Sequence, residues 1–488
     1  MKTIGLNLFK HSGRTAAAAA SMLLSACMVG PDFEKPAAPV SQHYDAQAEQ
    51  QLGGAGAPAG AQHVDLDQKL DGDWWSAFGS AKLDQVMRKA IDGNLDLEAA
   101  DATIAQAGEG VAAARGGLSP QVDFGAQALR QRAVGQPGPA FIGNLYTFGP
   151  QVSFDFDVFG GTKRLIEEQA ALADLQKHQY DAAYLVVTGD VATQAFLLAS
   201  AKAQMDAVQI LLADDRKNLE LVRGAHQYGS ATQVDIALAT TQLAQDENLL
   251  PPLAQQRDTA RHALSALAGK GPADWVAPDF DLSDFELPPN LAVTLPSELA
   301  RERPDILAAE AQLHATSSAV GVATADLYPH LDLSASLSQA GPGLGTLWGV
   351  AAGLSAPIFH GGSLEANRRA SIDGYKASLA VYQQTVVKSL TQVADVLQAI
   401  NHDTEEYQGQ ERALNAAEVN LRLNREGYRA GEISVLQVLD AERSYQQALI
   451  GQIRAKTALY LDTAQLSVAL GGNSSGAYER RVADRNEQ

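Results

Sequence analysis

The chain has 488 residues, room for about three domains of ordinary size and at least one large core. It carries 37 Lys+Arg against 57 Asp+Glu, a formal charge of −20, so nucleic acid is a poor partner, and at 46% hydrophobic and 19% charged it is not a disordered chain. One cysteine, Cys27, excludes an internal disulfide framework and a cysteine-based metal site.

Residues 1–26 combine Lys2, Lys10 and Arg14 with the small and apolar run 15–25 and no acid, the pattern of a secretory signal peptide. The run is too short for a spanning helix, which needs about 18 apolar residues. Leu24-Ser25-Ala26-Cys27 resembles the lipobox of bacterial lipoproteins, which would make Cys27 the acylated N-terminus of the mature chain and change its charge to −23. Residue 28 is Met rather than the Asp that retains such proteins in the inner membrane, so the resemblance points to the outer membrane. Residues 27–73 are rich in Pro, Gly, Ala and Gln and read as an extended tether.

From Trp74 the sequence repeats. Gly229, Val234, Leu264-Ser265 and Gly269 return 202 positions later as Gly431, Leu436, Leu466-Ser467 and Gly471. Residues 74–270 and 298–472 therefore follow one plan, with 271–297 as linker and 473–488 as polar tail. The plan is helix, two strands, very long helix, tight turn, long helix.

In the first repeat the strands fall at about 119–132 and 145–158, the long helices at 162–227 and 232–268. Tyr146, Phe148, Phe154 and Phe156 take alternate positions against Thr147, Gly149, Gln151, Ser153, Asp155 and Asp157. In the second repeat the strands fall at about 329–340 and 346–358, the second with Trp348, Val350, Leu354 and Ile358 on one face; the helices follow at 363–430 and 434–470. These strands are long enough to cross a membrane at a tilt, and the aromatic positions are lipid-facing candidates; a soluble sandwich with one wet face is the competing reading. Four strands cannot close a membrane barrel, so a spanning sheet requires an oligomer. Pro150 and Pro357 fit badly within such strands, and Pro251-Pro252 should break the first partner helix, with no counterpart in the second repeat.

Enzyme motifs are nearly silent: the one match, Gly472-Asn473-Ser474-Ser475-Gly476, follows a helix instead of a strand, so no catalytic residue is assigned. The 10 His and five Met are scattered and assign no metal site, and no cofactor is expected beyond the lipid on Cys27.

Val29-Gly30-Pro31-Asp32-Phe33-Glu34-Lys35-Pro36, Trp74-Trp75 with Phe78, Asn94-Leu95-Asp96-Leu97, Arg303-Pro304-Asp305-Ile306, Tyr328-Pro329 and the duplicated glycine turns together resemble the outer-membrane factor family. These are the TolC-type channels, here their lipoprotein branch from resistance-nodulation-division efflux systems. The resemblance implies a mainly α fold with a membrane β part, in which a homotrimer builds one 12-strand barrel continued by an α-helical periplasmic tube. It further implies an efflux duct anchored in the outer membrane of a Gram-negative bacterium, fed by a periplasmic adaptor and an inner-membrane pump. Type I secretion and a non-conducting, periplasm-spanning lipoprotein are the alternatives.

Family members close the periplasmic tip with polar contacts and acidic rings. Where they commonly read Leu-Asp-Val-Leu-Asp, this chain has Leu436-Gln437-Val438-Leu439-Asp440, so Asp440 matches and Gln437 replaces an acid. Glu432 and Asp235, close to the two turns, are the further gate candidates. The turns themselves, Tyr228-Gly229-Ser230 and Ala430-Gly431, are where an adaptor would touch.

Overall fold

A computed structural model describes residues 28–45, 47, 49, 52, 62–68, 73–134, 140–341, 345–472, 474 and 476–487. Cys27 and the signal segment lie outside the described residues. The chain divides into two compact units. One takes in the described residues up to Pro36 with Ala102–Lys177 and Ala308–Gln384; the other comprises Ala37–Asp101, His178–Leu307 and Thr385 onward.

The first unit holds a sheet of four antiparallel strands, β2 (Gln121–Val134), β3 (Ala140–Phe156), β5 (His330–Gly341) and β6 (Gly345–Ser355), in the order β2-β3-β5-β6. The two repeats meet where β3 pairs with β5, and β2 and β6 are left as open edges. Register places Phe156, Leu331 and Leu354 side by side, then Phe154, Leu333 and Ala352, then Val122, Val152, Ala335 and Val350. Leu337 pairs with Trp348, and Ala126 and Ala128 pair with Phe148 and Tyr146. One face is thus apolar over the rows from Phe156 to Trp348, with the hydrogen-bonded pair Gln339 and Thr346 beyond them beside Phe148, and it is bare: Trp348 is 79% and Val350 77% exposed. The other face carries small and polar residues, with Asp155 directly opposite Asp332.

Of the two prolines that fit badly in a strand, one stays inside it and the other marks a changed limit. Pro150 does lie inside β3, but the pairing with β5 lapses at Gly149-Pro150, where proline has no N–H to give. Gly149 allows β5 to close in there, since a Cβ would stand 2.0 Å from the Leu337 carbonyl oxygen. Pro357 is not in a strand at all: β6 stops at Ser355. At its other end β3 begins at Ala140, ahead of the 145 expected from alternation.

Also in this unit, residues 28–35 are not a loose tether. The Val29 N–H donates to the Phe159 carbonyl (3.1 Å), Phe33 stacks on His314 (4.4 Å between rings), and Lys35 pairs with Glu310 (2.7 Å). Tyr328 of the Tyr-Pro motif stacks on Phe159 at 4.7 Å.

The helices follow the plan with one break. Helices α1 (Ala81–Gly93) and α2 (Leu95–Gly116) precede β2, and α3 (Gly161–Gln227) follows β3 as an unbroken run of 67 residues, about 100 Å at 1.5 Å per residue. Its partner is split into α4 (Gln233–Glu247) and α5 (Leu250–Leu267), with Pro251-Pro252 in the first turn of α5, where their missing N–H groups cost nothing. The second repeat adds α6 (Pro296–Glu302), α7 (Pro304–Ala325), α8 (Ser363–Ala430) and a continuous partner, α9 (Val435–Ala469). Asn94 explains one sequence motif: its Oδ1 accepts from the Asp96 and Leu97 N–H groups at the start of α2, while its Nδ2 donates to the Leu267 carbonyl.

Two segments read as connectors turn out to build the core of the second unit. In the tether, β1 (His63–Leu66) pairs in parallel with β4 (Asn290–Val293) of the linker. Leu291 and Val293 of β4 pack with Leu299, Val393, Leu397 and Leu466. Phe280 and Phe285 of the linker join Phe78, Phe196 and Tyr460 in an aromatic cluster, and the Tyr460 hydroxyl donates to the Phe285 carbonyl (2.7 Å). Arg303 binds the Ala469 carbonyl at the C-terminus of α9, Gln392 of α8 (each 2.5 Å) and Asp305 (2.8 Å), so the Arg-Pro-Asp motif fastens α6, α8 and α9 together. The polar tail is likewise structured: helix α10 (Ala477–Glu487) is held by Asp181, which accepts from the Gly476 and Tyr478 N–H groups (each 3.1 Å). Ser474 is buried with its Oγ donating to the Gly471 carbonyl (2.8 Å), unlike an exposed nucleophile.

Candidate functional site: the hairpin ends and the polar network beside them

Both glycine turns are built alike. At the end of α3, Gly229 has φ +80°, and the Ser230 N–H donates to the Ala225 carbonyl (2.9 Å), closing the helix with a left-handed residue. At the end of α8, Gly431 has φ +77°, and the Glu432 N–H donates to the Gly427 carbonyl (2.9 Å). No neighbour lies within 4 Å of where a Cβ would stand at either glycine, so backbone conformation alone demands it. Tyr228 is 90% exposed, and Ser230, Ala430 and Gly431 are exposed with it. His226 donates from Nδ1 to the Ala231 carbonyl, which adds to the turn.

The four gate candidates separate into two groups. Asp235 caps α4: its Oδ2 accepts from the Thr232 N–H (2.7 Å) and hydroxyl (2.8 Å), while Thr232 Oγ1 accepts from the Asp235 N–H. The Thr232 N–H holds this carboxyl below its ordinary range. Glu432, Gln437 and Asp440 are exposed, and Gln437 and Asp440 stand three residues apart on one side of α9.

Roughly one to four turns inside the hairpin ends lies a network that motif reading missed. Arg425 of α8 contacts Asp214 of α3 and binds Glu442 of α9 (3.0 Å), whose other oxygen accepts from Asn218 Nδ2 (2.5 Å). Next to it, Gln242 of α4 donates to Asp246 (2.7 Å) and accepts from Arg443 of α9. Asp215, Asp246 and Glu442 are at most 5% exposed. Burial raises the pKa of Glu442. Burial first, and then the neighbouring Asp246, Glu442 and Asp214, push the Asp215 carboxyl up to about 8; its Oδ2 is buried with no donor. The network therefore ties both repeats by charge-assisted bonds, and the buried Asp215 carboxyl stands beside it in an environment that favours its protonated form. A cavity of about 490 Å³ lined by Ile210, Leu421, Arg425, Glu442 and Tyr445 adjoins it, so α3, α8 and α9 do not close on one another there.

An open-edged sheet with one bare apolar face, in a chain whose helical hairpins run for over sixty residues, defines a class: the subunit of an outer-membrane channel with a long helical extension. The outer membrane efflux protein profile matches residues 86–270 and 295–472, and the chain belongs to that family. Among its relatives, the pyoverdine export outer membrane protein OpmQ of Pseudomonas putida is 30% identical over 423 residues, covering 82% of this chain and 88% of that one. Nodulation protein T of Rhizobium leguminosarum bv. viciae is 27% identical over 479 residues, 95% and 94% of the two chains. The solved structure of the outer-membrane channel OprN superimposes with a TM-score of 0.81 at 26% identity, over 91% of this chain and 99% of that one. The fold is thus that of the TolC-type channels, and the protein is the outer-membrane channel component of an efflux system in a Gram-negative bacterium.

Proposed function

We propose that this chain forms a homotrimeric exit duct, three four-stranded sheets closing one 12-strand barrel, and that small molecules reach it from an inner-membrane pump of the resistance-nodulation-division type through a periplasmic adaptor. The observation that carries the reading is the sheet: β2 and β6 present unpaired backbone edges beside a face that only lipid suits, and pairing β6 of one copy with β2 of the next satisfies both. Acyl chains on Cys27 hold the protein to the membrane. The exposed turns at Tyr228-Gly229-Ser230 and Ala430-Gly431 receive the adaptor.

In this reading Glu432 and Asp440 supply the charge of the closed tip, since threefold symmetry turns each carboxylate into a ring of three. Gln437 contributes polarity without charge, and Asp235 serves the α4 cap first. The Arg425 network supports the closed state by bracing α8 and α9 against α3. No covalent chemistry is needed, because energy enters at the pump.

The test is to purify the mature protein in detergent, determine its oligomeric mass and record its conductance in planar bilayers. The expected result is a trimer with small, cation-selective conductance that rises when Glu432 and Asp440 are both replaced by Ala. A monomer without conductance would overturn the duct.

A further inference from the structure

The first unit contains a fully buried arginine that the duct does not use. Arg164, in the first turn of α3, is 1% exposed, and every partner of its guanidinium is named by geometry. Nε donates to the Val29 carbonyl (3.2 Å), NH2 to the Gly30 carbonyl (3.4 Å) and Asp32 Oδ1 (2.7 Å), and NH1 to Glu167 Oε2 (2.7 Å). Glu167 is held from the other side by His314 Nε2 (2.9 Å), on whose ring Phe33 stacks.

Two of these contacts reach backbone carbonyls, so the socket reads where the segment lies along the chain more than which side chains it bears. The backbone is fitted just as closely. Gly30 has φ +94°, and a Cβ there would stand 2.4 Å from Gly321 Cα; a Cβ on Gly321 would stand 2.7 Å from Arg164 Cγ. Met28 lies over Gly160, where a Cβ would meet its Cγ at 2.6 Å. A substituent on any of these three glycines would push the segment out.

We propose that the Arg164 socket is a positioning site for the lipid anchor: by fixing residues 28–33 against Phe159, Gly160 and Gly321 it makes the acyl chains of Cys27 enter the membrane at the joint between β3 and α3. The inference rests on the lipoprotein reading of Cys27. One peptide link, about 3.8 Å between Cα atoms, separates residue 27 from Met28. Anchor and strand ends therefore reach the bilayer as one body, and the seated sheet gains the high effective concentration of a short tether. A free tether over residues 27–73 would hold the protein to the membrane but would not place the sheet.

The decisive variant leaves the socket whole and moves only the lipid: six Gly-Ser residues inserted between Cys27 and Met28, which add a root-mean-square reach of about 13 Å. Arg164→Met, which empties the socket, accompanies it. The readouts are the mass of the mature N-terminal peptide, which reports acylation, and the fraction of protein that resists alkaline carbonate extraction, which reports insertion. The expected result is full acylation in all three proteins, with the inserted fraction reduced several-fold in both variants. If the insertion variant is acylated and inserts like the wild type, anchor placement is not what the socket does, and the proposal falls while Cys27 stands. If the wild-type peptide carries no lipid, the reading of Cys27 fails and takes the proposal with it.

Discussion

The proton on Asp215 should make the hairpin end sensitive to alkali. Asp215 of α3 is 3% exposed, with Asp246 of α4 beside it and Glu442 and Asp214 acting on it as further negative neighbours. Its pKa rises from 3.8 to about 8 on folding, so below pH 3.8 both folded and unfolded chains hold the proton and nothing is lost. As pH climbs from there, the unfolded chain ionises while the folded one still binds its proton, and stability falls by about 1.4 kcal/mol per pH unit. By pH 7 that loss is on the order of 4 kcal/mol, and it levels off above about pH 8. Asp215→Asn keeps the shape, supplies a permanent donor toward Asp246 and removes the titration. Thermal unfolding of the detergent-solubilised protein at pH 5, 6, 7 and 8 should show the wild type losing stability steadily and Asp215→Asn losing much less. The variant should be the more stable protein at pH 8 and nearly equal to wild type at pH 4. Parallel pH profiles for the two proteins would refute the argument.

Three further outcomes follow from the same structure. Asp403, pushed up to about 7 by burial and by Asp462 beside it, predicts a second slope below pH 7, so Asp403→Asn should flatten what remains in Asp215→Asn; unfolding of the double variant checks this. Arg425→Ala leaves Glu442 buried without its cation and cuts the tie to Asp214, and should cost about 2 kcal/mol of stability while raising single-channel conductance; conductance at the wild-type level would remove the network from gating. Trp348→Lys puts a charge on the apolar face and should cost about 2–4 kcal/mol at mid-membrane, whereas Ser336→Lys on the opposite face should insert normally; carbonate extraction of both variants decides it.

Much of this fold was legible in the sequence because its two strongest patterns have a single physical cause each. A strand facing lipid on one side must alternate, and Tyr146 to Phe156 does; a hairpin of helices must turn through a left-handed residue, and Gly229 and Gly431 mark both places. The start of β3 was blurred because Gly143 and Asn144 interrupt the alternation within it. The roles of β1 and the linker were hidden because four-residue strands pair 227 positions apart, as His63 does with Asn290, and no local pattern reports that.

At the hairpin ends, the glycine turns could be read from spacing and Asp440 was singled out only by the family resemblance, but the network inside them was legible from neither. Arg425 meets partners 17 and 211 positions away, and a charge on a long helix looks the same whether it faces water or another helix. One signal was there: Val438, Glu442 and Gln446 recur at helical spacing on the buried stripe of α9, and a carboxylate on such a stripe asks for a partner. Arg164 was inconspicuous for the same reason, and Arg303 was visible as part of a motif but its contacts were not. Their significance lies in the backbone carbonyls they collect, which sequence does not display.

The order β2-β3-β5-β6 carries a consequence about counting. Each chain contributes an even number of alternating strands, so its two free edges run in opposite directions and any number of copies could join edge to edge without a parallel mismatch. Every such joint would pair the first repeat of one copy with the second of another, while β3 and β5 make the matching joint inside the chain, so a ring closed in the proposed way would have twice as many near-equivalent joints as subunits. Strand parity leaves ring size undetermined. The number of copies must be set where the angle between neighbours is fixed, and the rigid candidates for that are the helices.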